Sequence, residues 1–272
     1  MPLYAYRDSD FYVHHTITPS PNPLDFASHM HSTCELYCFL SGEGSFHIEG
    51  SEYPLSPGMI LLTRPGELHR LAISGALPYE RVAVHFPFDA LEGMDSDGRL
   101  HALFFDRPLG QSNVYLGNDD SRAFITSCIY RLVREGKLSS RSRTLANLLP
   151  ILCELSELRA AEAITQPAAK GLAAASIGYV NAHLYETWTL DDLAARLFVS
   201  RTHLSRVFRQ ATGLSVWDYT LLKRLIAARE QIRTGTPATA AAAQCGFGDY
   251  SSFYRQYKRR FGVSPKEEPR AY

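Results

Sequence analysis

Residues 189–261 contain one pattern twice, a short helix, a turn and a second helix, with a single long amphipathic stretch between the copies. In the first copy, Thr189 and Asp192 have the spacing of a capping box, in which hydroxyl and carboxylate each satisfy an amide at a helix start. The helix over 190–197 turns Leu193, Ala194 and Leu197 to one side. Phe198, Val199 and Ser200 make the turn, and Ser200 is a suitable N-cap for a helix over 201–210 that buries Leu204, Val207 and Phe208. Gly213 ends that helix. Ser215 starts the long one, in which Val216, Tyr219, Leu222, Ile226 and Ile232 keep helical period. The second copy has a short alanine-rich helix over 239–245, a turn at Gly246 and Phe247, and a helix from Gly248 or Asp249 with Phe253, Tyr257 and Phe261 on its apolar side. Gly262 closes it, and Ser264 with Pro265 opens a last turn. A helix over 172–185 leads into the whole arrangement.

The faces opposite these apolar stripes carry the chemistry. Arg201, Thr202, Ser205, Arg206 and Arg209 share the outer side of the first copy's second helix. The major groove of DNA admits one helix, and its exposed face must supply donors for base edges and phosphates. Arg206 suits a bidentate pair with guanine, while Arg201 and Arg209 suit phosphate. Ser251, Arg255, Lys258 and Arg259 line the corresponding side of the second copy. A helix over 215–233 would be roughly 28 Å long at 1.5 Å per residue. One turn of duplex is about 34 Å, so such a spacer fits two reading helices to successive major grooves.

The charge distribution supports that division. The formal net charge is zero, yet residues 1–169 carry 13 basic against 20 acidic side chains and residues 170–272 carry 15 against 8. A −7 half joined to a +7 half directs phosphate to the C-terminal part alone. Five cysteines without a CxxC pair, and no apolar run long enough to span a bilayer, predict a cytoplasmic protein without disulfides, a structural zinc site or a membrane partner.

Residues 34–86 read differently. Short β-rich runs (35–40, 45–49, 59–63, 68–73 and 81–86) are separated by glycine turns, the layout of an antiparallel barrel or sandwich. Before them, Pro19, Pro21 and Pro23 predict an extended lead-in. His29, His31, Glu35 and Gly42, followed by Pro57, Gly58, Pro65, Gly66 and His69, resemble the two motifs of a cupin barrel. That resemblance implies a site at His29, His31, Glu35 and His69, taking either a small molecule or a first-row divalent metal. Residues 29, 31 and 35 share parity, so one unbroken strand would aim all three the same way. A purely structural role for these side chains is the third reading. The second motif departs from the metal-binding pattern because Pro65 touches Gly66 with nothing between, and no resident cofactor is expected.

Between the halves, residues 119–137 place Phe124, Ile125, Cys128, Ile129, Leu132 and Val133 on one helical face. Residues 144–158 space Leu145, Leu148, Leu152 and Leu155 like a short coiled-coil seam, which suits either a second copy of the chain or the protein's own barrel. Pro150 should bend that helix or restart it. The fold class expected is α+β in two domains: a cupin-like sensor barrel over 1–110, a helical connector or dimerisation region over 111–163, a linker over 164–171, and an all-α unit of two helix-turn-helix copies over 172–272.

Ser200 to Phe208, the run from Thr212 to Ser215, Gly246 with Phe247, Ser251 to Arg255 and the run from Phe261 to Pro265 together resemble the signature of the AraC/XylS family of bacterial transcription regulators. The resemblance covers roughly the last hundred residues, with the elements in order and at family spacing. It implies a sequence-specific DNA-binding regulator with a cupin-like effector domain in front. Thr202, Ser205 and Arg206 would read bases in the first copy, and Ser251, Ser252 and Arg255 in the second. It further implies operator DNA, a small-molecule effector such as a carbohydrate, a homodimer and RNA polymerase as partners. A metal-dependent cupin enzyme fused to a DNA-binding unit is the alternative. Three departures stand out. Phe198 occupies a turn position where glycine is common, Ala238 and Ala241 replace the isoleucines expected under the second copy, and Glu268 replaces a tyrosine. The alanines predict a looser second copy with less specific DNA contact.

Overall fold

A computed structural model describes residues 2–75, 77–134, 140–161 and 171–268. The chain divides into one unit of Met1–Ala27 with Thr33–Ala168, and a second of Ser28–Ser32 with Ala169–Tyr272. Among the described residues the first unit has strands β1 (Pro2–Arg7), β2 (Tyr12–Thr18), β3 (Cys34–Ser41), β4 (Gly44–Ile48), β5 (Ser51–Pro54), β6 (Ile60–Thr63), β7 (His69–Ile73), β8 (Tyr79–Phe86) and β9 (Val114–Tyr115). Helices α1 (Arg99–Phe105), α2 (Asp119–Leu132) and α3 (Arg141–Ala161) complete it. All described pairings are antiparallel, in a six-stranded sheet ordered β1-β2-β8-β3-β6-β9 and a three-stranded sheet ordered β5-β4-β7.

Alternation along β3 explains how the layers stack. Cys34, Leu36 and Cys38 face one way, into a core shared with Val82 and Val84 of β8 and with the helices. Tyr37 and Phe39 face the other way, against Phe46, Ile48, Leu71 and Ile73 of the small sheet. A strand covered on both faces reads as a nearly unbroken apolar run, which is why 34–40 lacks clean alternation. The hairpin between β4 and β5 turns through Glu49 and Gly50, both with positive φ (49° and 81°), as a two-residue turn of the primed type requires.

The helices expected as a connector belong to this unit. Ile125, Cys128, Ile129 and Leu132 of α2 join Leu148, Ile151, Leu152 and Leu155 of α3 in the core behind the large sheet. The leucine seam is therefore spent on the chain's own fold, not on a second copy. Pro150 lies within one continuous helix, so it restarts nothing. The loop ahead of β7 is held by a buried ion pair. Arg107 Nη2 lies 2.7 Å from Glu67 Oε2, and Glu67 also accepts from the Gly110 amide at 2.8 Å and Asn113 Nδ2 at 3.1 Å. Burial opposes the Glu67 charge, but Arg107, then the Gly110 amide and Arg64, hold its carboxyl below the usual range.

The second unit is helical: α4 (Gly171–Ala182), α5 (Leu190–Arg196), α6 (Arg201–Thr212), α7 (Val216–Arg233), α8 (Ala238–Gln244) and α9 (Tyr250–Phe261). The linker expected at 164–171 lies outside the described residues except for Gly171, the first residue of α4. Caps set most of the boundaries. Thr189 Oγ1 accepts from the Asp192 amide at 3.2 Å while Asp192 Oδ2 accepts from the Thr189 amide at 2.8 Å, the reciprocal box expected. Ser200, Ser215 and Asp249 cap α6, α7 and α9, and Gly213 and Gly262 end α6 and α9 in the left-handed conformation.

The turns after α5 and α8 are the same motif built from different residues. Phe198 N–H donates to Ala195 O (3.1 Å) and Val199 N–H to Ala194 O (3.0 Å). Gly246 N–H donates to Ala243 O (3.1 Å) and Phe247 N–H to Ala242 O (3.0 Å). Both are Schellman caps, which place one residue in the left-handed region. That residue is Gly246 in the second copy (φ 77°) and Phe198 in the first (φ 55°). The turn missing its glycine is thus made with the glycine geometry nonetheless.

The second copy packs its core around small residues. Ala241 and Ala242 are fully buried in a cluster with Leu225, Ala228, Ile232, Phe253 and Tyr257. Phe247, Phe253, Tyr257 and Phe261 pack in a chain of rings with successive centroids 4.7–5.3 Å apart. Ala238 is half-buried against the same cluster. Glu268 closes the copy from below: it accepts from Arg229 Nε at 2.8 Å and from the Tyr257 hydroxyl at 2.8 Å.

Candidate nucleic-acid interface and sheet interior

The first recognition helix, α6, divides as its sequence requires. Leu204 and Phe208 are buried, Val207 is half-buried, and Arg201, Thr202, Arg206 and Arg209 are exposed, with Ser205 between. Phe208 meets Tyr219 of α7 edge to face, with centroids 5.4 Å apart, which fixes the rotation of α6 about its axis. Arg201 Nη1 is 3.4 Å from Asp191 Oδ2, and Arg206 Nη2 is 3.1 Å from His203 Nδ1. Both contacts lie in solvent and are easily exchanged for phosphate or base edges. Arg201, Ser205, Arg206 and Arg209 line one concavity of about 570 Å³.

On α9, Phe253 and Tyr257 are buried while Ser251, Arg255 and Lys258 are exposed and Ser252 is half-buried. Asp249 accepts from the amides of Ser251 and Ser252, aligning the start of the helix. Ser252 and Gln256 line a second concavity, of about 310 Å³. Thr202, Arg206 and Arg209 of α6 and Ser251, Arg255 and Lys258 of α9 thus occupy matching positions counted from their N-caps.

Of the cupin-like set, Glu35 and His69 both belong to the sheet unit. Glu35 and His69 meet inside the sheet unit, His69 Nε2 lying 3.2 Å from Glu35 Oε2. His69 Nδ1–H donates to the Glu67 carbonyl at 2.8 Å. Burial works against a charged His69, but Glu35 and the Glu67 carbonyl raise its pKa overall. His29 and His31 lie in the segment Ser28–Ser32, which groups with the helical unit, their ring centroids 6.3 Å apart. Residues 29 and 31 precede β3 and do not continue its alternation to Glu35.

Strand register brings in side chains that spacing alone did not select. His85 stands opposite Glu35 on β8, with Nε2 3.8 Å from Glu35 Oε1, and Thr63 stands opposite on β6. His14 of β2 stacks on His85 at 5.8 Å, beside Tyr12 at 4.9 Å. Burial, then Arg81, push His14 down to about 4, against the pull of Glu35. One step along the strands, the Tyr37 and Tyr79 hydroxyls bond to each other, and Arg81 Nη1 donates to Tyr79 Oη at 3.1 Å. Phe46 lies over His69 at 5.8 Å. Glu35, Tyr37, Thr63, Arg81 and His85 thus point from the large sheet into the space between the sheets. The signal was parity: 35, 37 and 39 share a face, as do 79, 81, 83 and 85.

Residues 193–270 match a family described as helix-turn-helix domain, and residues 17–149 one described as AraC-like ligand binding domain. The chain is 27% identical over 252 residues to the HTH-type transcriptional activator RhaS of Escherichia fergusonii, covering 89% of this chain and 87% of that one. It is 25% identical over 242 residues to the uncharacterized HTH-type transcriptional regulator YobQ of Bacillus subtilis, covering 89% and 88%. A solved structure of ToxT from Vibrio cholerae aligns over 95% of this chain and 97% of its own, with 12% identity and a TM-score of 0.40.

Proposed function

The chain belongs to the AraC family of DNA-binding transcription regulators, and we propose that it reads its operator mainly through α6, with α9 as a second contact, under the control of a small polar molecule held in the sheet interior. The observation that carries this is the outer face of α6, where Thr202, Ser205 and Arg206 project from a helix whose caps and rotation are fixed. Replacing Arg206 by Ala should cost about 1–3 kcal/mol on a selected operator and little on random duplex. Replacing Lys258 by Ala should weaken both duplexes equally and reduce the salt slope by about one. Equal losses on both duplexes for both variants, measured by fluorescence anisotropy across a salt series, would refute the assignment.

For the effector, a carboxylate, imidazoles, a guanidinium and aromatic faces in one interior are the mix that takes the hydroxyls and C–H faces of a carbohydrate. The effector acts by binding one DNA-competent arrangement more tightly than another, since equal affinity for both shifts nothing. A thermal-shift screen of sugars on the whole protein and on Glu35→Gln tests this. A binder that leaves operator affinity unchanged would sink the control mechanism. A cytoplasmic location beside the chromosome fits a DNA-binding regulator, and no helix among the described residues is long and apolar enough to cross a membrane. Dimerisation, if it accompanies operator binding, uses a surface other than the buried leucine seam, and sedimentation of the full chain with and without duplex measures it.

A further inference from the structure

Trp217 is the second residue of α7 and is 66% exposed. It is one of two tryptophans in the chain. The other, Trp188, is half-buried and donates its indole N–H to the His183 carbonyl at 2.9 Å. The Trp217 N–H has no partner among the described residues. What distinguishes Trp217 is its place. It lines the concavity that holds Arg206 and Arg209 of α6, and also the one that holds Ser252 and Gln256 of α9. It is the ridge between the two recognition surfaces.

A duplex that offers successive major grooves to two recognition helices presents, between them, one minor groove flanked by two phosphate backbones. The protein surface that meets this stretch is the one between the two concavities. We infer that Trp217 packs against the DNA backbone there, laying its indole on deoxyribose and donating Nε1–H to a phosphate oxygen. The surroundings favour that occupant. Arg201, Arg206 and Arg209 flank the ridge on one side. The nearby carboxylates are engaged: Asp218 accepts from the Ser215 hydroxyl at 2.6 Å, Asp249 caps α9, and Asp191 faces Arg201. Arg224, on the other side, donates to the carbonyls of Leu184, Glu186 and Gly246, so it holds the fold rather than DNA. That leaves the indole as the ridge's donor. Because it is neutral, it adds backbone contact without releasing a counterion, unlike an arginine. The inference rests on both recognition helices facing one duplex, which the Arg206→Ala experiment above tests separately.

The test uses the full chain with two probes: a 40-base-pair duplex of random sequence, and a duplex enriched by the wild-type protein from a random pool. Trp217→Ala should weaken both by a similar factor, about tenfold for a hydrogen bond to a charged group plus ring contact, with an unchanged salt slope. Trp217→Phe, which keeps a ring and loses the N–H, should fall between. In Trp188→Phe the sole remaining tryptophan emission is that of Trp217, and it should change on saturation with either duplex. Binding by Trp217→Ala within twofold of wild type on both probes would overturn the inference. So would a loss confined to the selected duplex, which would mean base reading, or unchanged emission from Trp188→Phe. Trp217→Phe and the fluorescence arm decide the matter even if the alanine variant folds poorly.

Discussion

The two Schellman turns give an internal control on backbone strain. Phe198 holds φ 55° with its side chain 96% exposed, so the ring contributes almost no burial that its removal could forfeit. A left-handed residue with a Cβ costs about 1–2 kcal/mol. Glycine relieves that cost but adds about 0.5–1 kcal/mol of unfolded-state entropy. Phe198→Gly should therefore stabilise the helical unit by roughly 0.5–1 kcal/mol, raising its midpoint by about 3–6 °C for a unit of this size. Gly246→Ala should do the reverse. A Cβ there would meet the Tyr185 carbonyl oxygen at 2.7 Å, in addition to the φ of 77°. Strain and clash together should cost at least about 1–2 kcal/mol. Thermal unfolding followed by circular dichroism at 222 nm, with hydrogen exchange of the α5 and α6 amides to localise the effect, measures both. A lower midpoint for Phe198→Gly would refute the reasoning, because it would mean the exposed ring carries stability that its surroundings do not account for.

Three further outcomes follow from other parts of the fold. Glu268→Ala leaves Tyr257 Oη and Arg229 without their shared acceptor; since Arg229 keeps about a quarter of its side chain in water, the loss should be about 2–3 kcal/mol rather than the 3–5 of a fully buried pair. Denaturant titration reading under 0.5 kcal/mol would show the network to be incidental. Arg107→Met strands the Glu67 carboxylate in the core of the sheet unit and should cost about 3–5 kcal/mol, most of it recovered in the double variant with Glu67→Leu. No recovery in the double variant would place the damage in packing instead. His14 is held neutral, with a pKa near 4 against 6.5 when unfolded, so it imposes no penalty above pH 6.5. As pH falls from 6.5 to 4 the unfolded state takes up a proton that the folded state refuses, and up to about 3 kcal/mol is lost. His14→Gln should flatten that slope in hydrogen exchange of the β2 and β8 amides; an unchanged slope would clear His14 of the effect.

The helical half was legible because its signals are local. A capping box spans four residues, and a buried stripe repeats within a turn or two, so Thr189, Asp192, Ser200, Leu204 and Phe208 announce their structure to any reader of the chain. Much of what surrounds them was not. The sequence showed four leucines at seam spacing but could not say that the chain's own sheet would cover them. It marked Ala238 and Ala241 without showing that they join one cluster with Phe253 and Tyr257. It flagged Glu268 as a departure, whereas only the fold brings Arg229 and Tyr257 to it.

The sheet half shows the same limit more sharply. Composition and turns predicted antiparallel strands, and the motif residues Glu35 and His69 do meet. His85 and His14 join them because β8 is laid between β2 and β3 in one particular register, and no local pattern specifies which distant strand becomes a neighbour. The amino-acid sequence by itself determined the class of each unit, the helix starts capped by Thr189, Ser200, Ser215 and Asp249, and the residues that α6 exposes, since backbone capping and hydrophobic period act over a few residues. Tertiary structure alone decided which polar groups share the sheet interior, what buries the leucine seam, and that Trp217 stands between the two recognition surfaces, because each depends on contacts between segments far apart in the chain.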